Sequence, residues 1–305
     1  MRLLKESTLR YLRPFFLIGP GIAILLLLFL SPAFYNVLLS LQRISLFHLK
    51  NGGTFVGIDN YFQLLGTHQF WLSLWNTLVW LTIVTVVVRL LLGLALALLL
   101  DAPVLKRLKL AGIARSALLI PWVTPPVVAV AAWQWLLQPR YGAVNQILTG
   151  VGIVKQGIPF FDQTSTVWIA ICIIIIWHEV PFVAISILAG LKGIPEELYE
   201  SARVEGATSY QVFLRIKLPL LRPVLTIVTL LTVIWTFNNF LYVWLSTGGG
   251  PGNFTQVLAT EMYKEAFVNY RLGYGATVGI VMVLLMLFFT IGYFKTVFSR
   301  NVQED

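Results

Sequence analysis

Five stretches of this chain carry no charged residue at all: Phe15 to Leu41, Ser116 to Leu137, Val167 to His178, Pro223 to Leu245 and Ala276 to Phe294. The third continues past Glu179 to Leu191, and a sixth apolar stretch, Leu74 to Leu100, is interrupted only by Arg89. A helix satisfies its own backbone in lipid, and roughly 20 predominantly apolar residues let it cross. Long alternating strands are absent, which excludes a barrel. With 58% apolar and 11% charged residues, the chain is far from a soluble domain, in which about a quarter of residues are charged. The reading is an all-α membrane protein with six transmembrane helices at 15–41, 74–100, 116–137, 167–191, 223–245 and 276–294. The basic start (Arg2, Lys5, Arg10, Arg13) raises signal-peptide cleavage as the rival for the first run, but that run is too long for a typical signal core.

Orientation follows from where Lys and Arg fall. Fifteen lie in the N-terminal segment, in Lys106 to Arg115, in Lys192 to Arg222 and in the tail, whereas six lie in the alternate connections. The positive-inside rule places both termini in the cytoplasm. That leaves a basic cytoplasmic N-terminus at 1–14, a six-span domain at 15–298 and a cytoplasmic tail at 299–305. The formal charge of +9 is then a topology signal, and nucleic acid is not needed as a partner. Trp71, Trp75, Trp133, Trp135, Trp168 and Trp244 fall near span ends, as interfacial anchors do. Cys172 is the only cysteine, and His48, His68 and His178 share no ligand spacing. No metal site, bound cofactor or catalytic residue is expected.

One connection, residues 192–222, is patterned as a helix, a turn and a helix. Pro195 suits a first helical turn, and Glu196 and Glu197 sit where the helix dipole favours anions. Leu198, Ser201 and Ala202 share a face, with Glu200 and Arg203 three apart on another. Gly206 supplies the turn, and Thr208 with Gln211 has capping-box spacing. Arg215 and Lys217 complement the end of the second helix, and Pro219 is expected to stop it. An amphipathic hairpin lying on the bilayer fits the same pattern. An acidic face is poorly suited to an anionic leaflet, so a protein partner fits better.

Glu200-Ser201-Ala202, then Gly206-Ala207, then Ile216-x-Leu218-Pro219, resembles the EAA loop of the permease subunits of binding-protein-dependent ABC importers of the carbohydrate-uptake type. Ser201 stands where that family usually has Ala, and Glu205 where Asp is common. Phe55 to Tyr61, Pro121-Trp122 with Pro125-Pro126, Trp135, Tyr141-Gly142, Trp177 through Phe182, Ala189 to Leu191, Ile194 to Tyr199, Phe237 to Phe240 and Thr247 to Pro251 extend the likeness in order from about Phe15 to Phe298. The resemblance implies the type I ABC importer permease fold in a bacterial or archaeal cytoplasmic membrane. It assigns ATPase coupling to Glu200, Ser201, Ala202, Arg203, Glu205, Gly206 and Ala207. It also implies a second permease chain in a heterodimer, two copies of a cytoplasmic ATPase using ATP and Mg, and an extracytoplasmic solute-binding protein, all set in membrane lipid.

Polar groups inside spans mark a pathway or a helix contact, since each costs free energy in lipid. Arg89 lies eleven residues before Leu100 and Glu179 twelve before Leu191, about 16 and 18 Å from one boundary at the helical rise. An Arg89 to Glu179 ion pair at one depth is therefore expected. Snorkelling of Arg89, or its contact with another subunit, is the open alternative. In the fifth span Thr232, Trp235 and Asn239 share a face, with Thr236 and Asn238 beside them. Hydroxyl, amide and indole groups suit a polyol, whose hydroxyls need partners while its C–H face stacks on a ring. Hydrogen bonding of Asn238 and Asn239 between helices is the competing reading. Trp177 and His178 are weaker candidates for the same path.

The chain lacks the GxxxxGK[ST] phosphate cradle, and Gly150 to Lys155 imitates it only superficially, so energy is expected from another polypeptide. A membrane glycosyl or phosphoryl transferase would need clustered carboxylates in or beside the spans, whereas the acids here concentrate in the loop 192–222. A secondary transporter would need more buried titratable groups than Arg89, His178 and Glu179.

Overall fold

The computed structural model describes residues 18–102, 107 and 111–301. The basic start at 1–14, the first residues of the first span and the last residues of the tail lie outside the described residues. Among the described residues, five helices are long and apolar enough to cross a membrane: Ile18–Ser40, His68–Asp101, Val167–Lys192, Ser209–Phe237 and Leu272–Lys295. Ala111–Val123 and Pro126–Leu136, bent by 96° at the break between them, complete a sixth passage. We number these passages one to six in chain order.

Two departures from the sequence expectation concern prolines and asparagines. Pro219 does not stop a helix: the second helix of the segment 192–222 runs from Ser209 straight into the fifth span. Between Phe213 and Lys217 the backbone widens into a π turn, and the N–H of Leu218 reaches back five residues to Phe213. That slip shifts the ladder where Pro219 offers no donor and keeps the helix continuous. The fifth span instead ends at Phe237, before Asn238 and Asn239, and resumes as the short helix Leu241–Thr247. Asn238 Nδ2 donates to the Ile234 carbonyl at 2.9 Å, and Asn239 Oδ1 accepts the Tyr242 N–H at 3.4 Å. Such local side-chain bonds compete with the helical ladder where the span ends.

The chain divides into two compact units, residues 1–67 with 262–284 and residues 68–261 with 285–305. In the first, the helix Ile18–Ser40 leads into an antiparallel pair, Gln42–Arg43 against Thr54–Phe55, and a short helix Asp59–Leu65. The carbonyls freed at the helix end are taken up by side chains. Asn60 Nδ2 donates to Ser40 and Gln42, and Thr277 Oγ1 donates to Ser40. Leu39, Ile44 and Ala276 form one apolar cluster in this unit.

The second unit packs spans two, four and five around two cores, Leu81 with Ile171, Ile174 and Val243 toward one end, and Ala97 with Val183, Ile187 and Leu221 toward the other. Spans two and four touch backbone to side chain at Gly93, where a Cβ would stand 2.9 Å from the Val183 Cβ and 3.2 Å from the Ala184 nitrogen. Only glycine permits that approach. Trp168 is no interfacial anchor: it is buried and stacked on Trp80, ring centroids 6.0 Å apart. Trp71 and Trp75 are exposed, as anchors would be.

Candidate functional site

Arg89 is completely buried in the middle of span two. Its Nη1 pairs with Glu179 Oε2 on span four, and its Nη2 donates to Thr236 Oγ1 on span five. Nε donates to the Thr85 carbonyl one turn below at 3.1 Å. Thr236 can accept because its own hydroxyl proton is given to the Thr232 carbonyl at 2.6 Å. A guanidinium has five donors and no acceptor, so this set of oxygens from three helices is what makes its burial tolerable. Snorkelling is not what this arginine does.

Glu179 faces two ways. One oxygen holds Arg89, and the side chain, 15% exposed, forms part of the wall of a cavity of about 340 Å³. Thr232, Trp235, Asn238 and Asn239 line the same cavity, as do His178, Trp122, Phe182 and Phe240. The aromatic wall is continuous: Trp122 lies 5.8 Å from Phe182, and Phe182 lies 4.9 Å from Trp235, between ring centroids. The cavity therefore offers one carboxylate, two amides and broad ring faces. Thr232 contributes lone pairs only, since its proton goes to the Val228 carbonyl at 2.8 Å.

Two of the residues singled out from sequence stand elsewhere. Thr236 is turned away from the cavity and braces Arg89. Trp177 does not line the cavity but packs edge-on against Trp133, centroids 5.8 Å apart.

His178 has a defined job at the break in span three. At the bend before Pro126–Leu136 the Thr124 carbonyl leaves the helical ladder and accepts a hydrogen bond from His178 Nε2 at 2.8 Å. That fixes the proton on Nε2 and leaves Nδ1 to accept from the Tyr242 hydroxyl, also at 2.8 Å. The imidazole thus ties the bend of span three to the helix that resumes after the break in span five. Replacing His178 by Phe strands both partners in a buried place. We expect a loss of about 1 to 3 kcal/mol, read as a lower melting temperature of the purified protein. An unchanged melting temperature would show that the two bonds carry no stability.

Trp122, Phe182, Phe240 and Tyr242 were missed by reading the sequence. Phe182 had a signal, since it lies three residues after Glu179 on the same helical face. The other three had none, because helix breaks set where they point.

The segment 192–222 is the second candidate. Its first helix is Glu196–Val204, and Gly206 turns the chain with φ +77°. Thr208 and Gln211 close a reciprocal capping box at the second helix. Glu200, Ser201, Arg203, Glu205 and Gly206 are exposed and Ala207 half-buried, whereas Ala202 is buried against the body. Val204 is 89% and Tyr210 71% exposed. Arg203 reaches Glu196 at 3.8 Å, and with both groups in water that pair adds little. The hairpin is anchored by Asp101 at the end of span two, which meets Lys192 at 3.1 Å and Lys217 at 3.8 Å. Lys217 also lies over the Tyr199 ring, 5.4 Å from its centroid. Burial first, then the carboxylates of Asp101 and Glu196, holds the Tyr199 hydroxyl above the ordinary phenol range, so it stays protonated.

Known proteins place this architecture. Residues 89–302 match the family model described as "Binding-protein-dependent transport system inner membrane component". The sulfoquinovosyl glycerol transport system permease protein SmoG of Agrobacterium fabrum is 34% identical over 287 residues, 93% of this chain and 90% of that one. The trehalose/maltose transport system permease protein MalF of Thermococcus litoralis is 34% identical over 294 residues, 95% of this chain and 94% of that one. The diacetylchitobiose uptake system permease protein DasB of Streptomyces coelicolor is 33% identical over 301 residues, 96% of this chain and 89% of that one. The fold is that of a chain in the crystal structure of a bacterial ABC transporter for the acidic polysaccharide alginate. TM-score there is 0.77 at 23% identity, with 97% of this chain and all of that chain covered. This polypeptide belongs to the family of binding-protein-dependent transport system inner membrane components, the multi-pass permeases of ABC importers.

Proposed function

We propose that this permease forms half of the path for an uncharged sugar or short oligosaccharide. Its cavity between spans three, four and five is the transient sugar site. The observation that carries this reading is the composition of the cavity wall. Aromatic faces stand beside two amides and one carboxylate, and Arg89, the only Lys or Arg in the wall among the described residues, is fully buried and already engaged. A solute meets the Glu179 carboxylate and no available positive charge, so an anionic sugar is repelled and a neutral one finds acceptors and ring surface. The sugar-transport names of SmoG, MalF and DasB support the class.

In this reading both termini and the segment 192–222 face the cytoplasm, following the positive-inside count. The hairpin at Glu200 to Ala207 grips a separate ATPase, two copies of which hydrolyse ATP with Mg. A second permease chain completes the pore, and an extracytoplasmic binding protein delivers the sugar. Exposed Val204 and Tyr210 on a hairpin anchored from behind by Asp101 support a docking role.

The test is uptake into vesicles reconstituted with the permease pair, ATPase and binding protein. ATP-dependent entry of labelled neutral oligosaccharide, with little entry of a uronate oligomer of equal length, is the expected result. Preferred entry of the uronate, or entry without the ATPase, overturns the reading.

A further inference from the structure

The first unit contains a pocket of about 370 Å³ where the end of the first helix meets the start of the last. Arg43 stands three residues past Ser40, where the apolar helix Ile18–Ser40 ends, and Arg271 immediately precedes Leu272, where the apolar last helix begins. Both arginines therefore sit at the level where hydrocarbon gives way to headgroups. Backbone bonds hold the two segments together: the Leu46 N–H donates to the Tyr270 carbonyl at 3.0 Å, and the Gly273 N–H to the Ile44 carbonyl at 3.3 Å.

The charge in this pocket is unbalanced. Arg271 meets Glu265 at 3.5 Å and lies over the Tyr274 ring, 4.0 Å from its centroid. Arg43 also lines the pocket, and it forms no ion pair among the described residues. Two guanidiniums thus face one carboxylate, a surplus of one positive charge. Ser45, Gln63 and Asn269 add hydroxyl and amide groups around it. The surrounding surface of the unit is apolar: Phe47 and Phe62 are 70% and 66% exposed, and the Phe47 ring lies 4.3 Å from the ring of Tyr270.

We propose that this pocket binds the phosphate of an anionic phospholipid. A phosphodiester carries the single negative charge that the pocket lacks, and its oxygens match the forked donors of arginine. The acyl chains then reach the hydrocarbon that begins at this level. Inorganic phosphate shares the headgroup chemistry but has no chains to place there.

The experiment measures phosphatidylglycerol retained by the assembled transporter through detergent purification, by native mass spectrometry. Arg43→Gln and Arg271→Gln are each expected to lower retention about tenfold or more, the effect of losing one charge-assisted contact. Arg140→Gln, which removes a cation outside the pocket, is expected to retain lipid as the wild type does. Arg43→Gln breaks no ion pair and so stays informative if Arg271→Gln assembles poorly. Wild-type retention by Arg43→Gln overturns the proposal. So does displacement of the lipid by millimolar inorganic phosphate, which would make the free anion the ligand. Retention in the presence of that phosphate supports the lipid as the source.

Discussion

Glu179→Ala and Arg89→Ala are each expected to reduce sharply the amount of folded transporter recovered from membranes, with uptake falling at least in proportion. The reason is asymmetric. The intact pair compensates itself, but removing Glu179 leaves a fully buried guanidinium with only hydroxyl and carbonyl partners, and removing Arg89 leaves a carboxylate in an apolar wall. Breaking a buried pair at one partner costs about 3 to 5 kcal/mol, a large part of a typical folding stability. The double replacement Arg89→Met with Glu179→Met separates stability from transport. Two apolar side chains of similar length leave no stranded charge, so recovery of folded protein should return toward the wild-type amount. Uptake should not return if the cavity is the proposed sugar site, because it loses its carboxylate. Recovery and melting temperature report the first effect, and vesicle uptake the second. If either single variant assembles and transports like the wild type, the pair is ornamental. If the double variant transports normally, Glu179 has no part in the path.

Scrambling the order of residues from Glu200 to Ala207 is expected to reduce uptake to background while leaving the permease in the membrane. The contacts that seat the hairpin lie mostly outside this stretch: Asp101 holds Lys192 and Lys217, and the capping box is formed by Thr208 and Gln211. Within it, Ala202 fills a buried position and Gly206 occupies φ +77°, where a side chain costs about 1 to 2 kcal/mol. Those two therefore orient the exposed ones. A gentler variant, Val204→Asp, leaves the fold of the hairpin alone, since Val204 is almost wholly exposed, yet places a charge in the middle of the proposed docking surface. It should cut co-purification of the ATPase with the permease. Normal uptake by the scrambled chain would remove the hairpin from the coupling mechanism.

The same hairpin shows how local information sufficed in one region and failed in the next. Its helix start, its glycine turn and its capping box are all set by residues within four positions of one another, and the structure reproduces each of them. Pro219 is just as local a signal, but its effect depends on whether the preceding backbone can widen by one residue, and between Phe213 and Lys217 it does. The break at Asn238 and Asn239 likewise turns on whether two amides bond their own backbone or a neighbouring helix, and spacing alone leaves both open.

Apolar run length and turn chemistry are legible in the sequence because each acts within one helix or one turn. The equal depth of Arg89 and Glu179 belongs with them, since helical rise converts residue counts into height. What needed the folded molecule was rotation and partnership. Depth does not say which way a side chain points around its helix, so Thr236 behind Arg89, Trp177 against Trp133, and Tyr242 on His178 emerged only when spans two to five were packed together. Gly93 and its neighbour Val183 set how closely spans two and four approach, and that contact between segments ninety residues apart is decided by close packing, which no local pattern encodes.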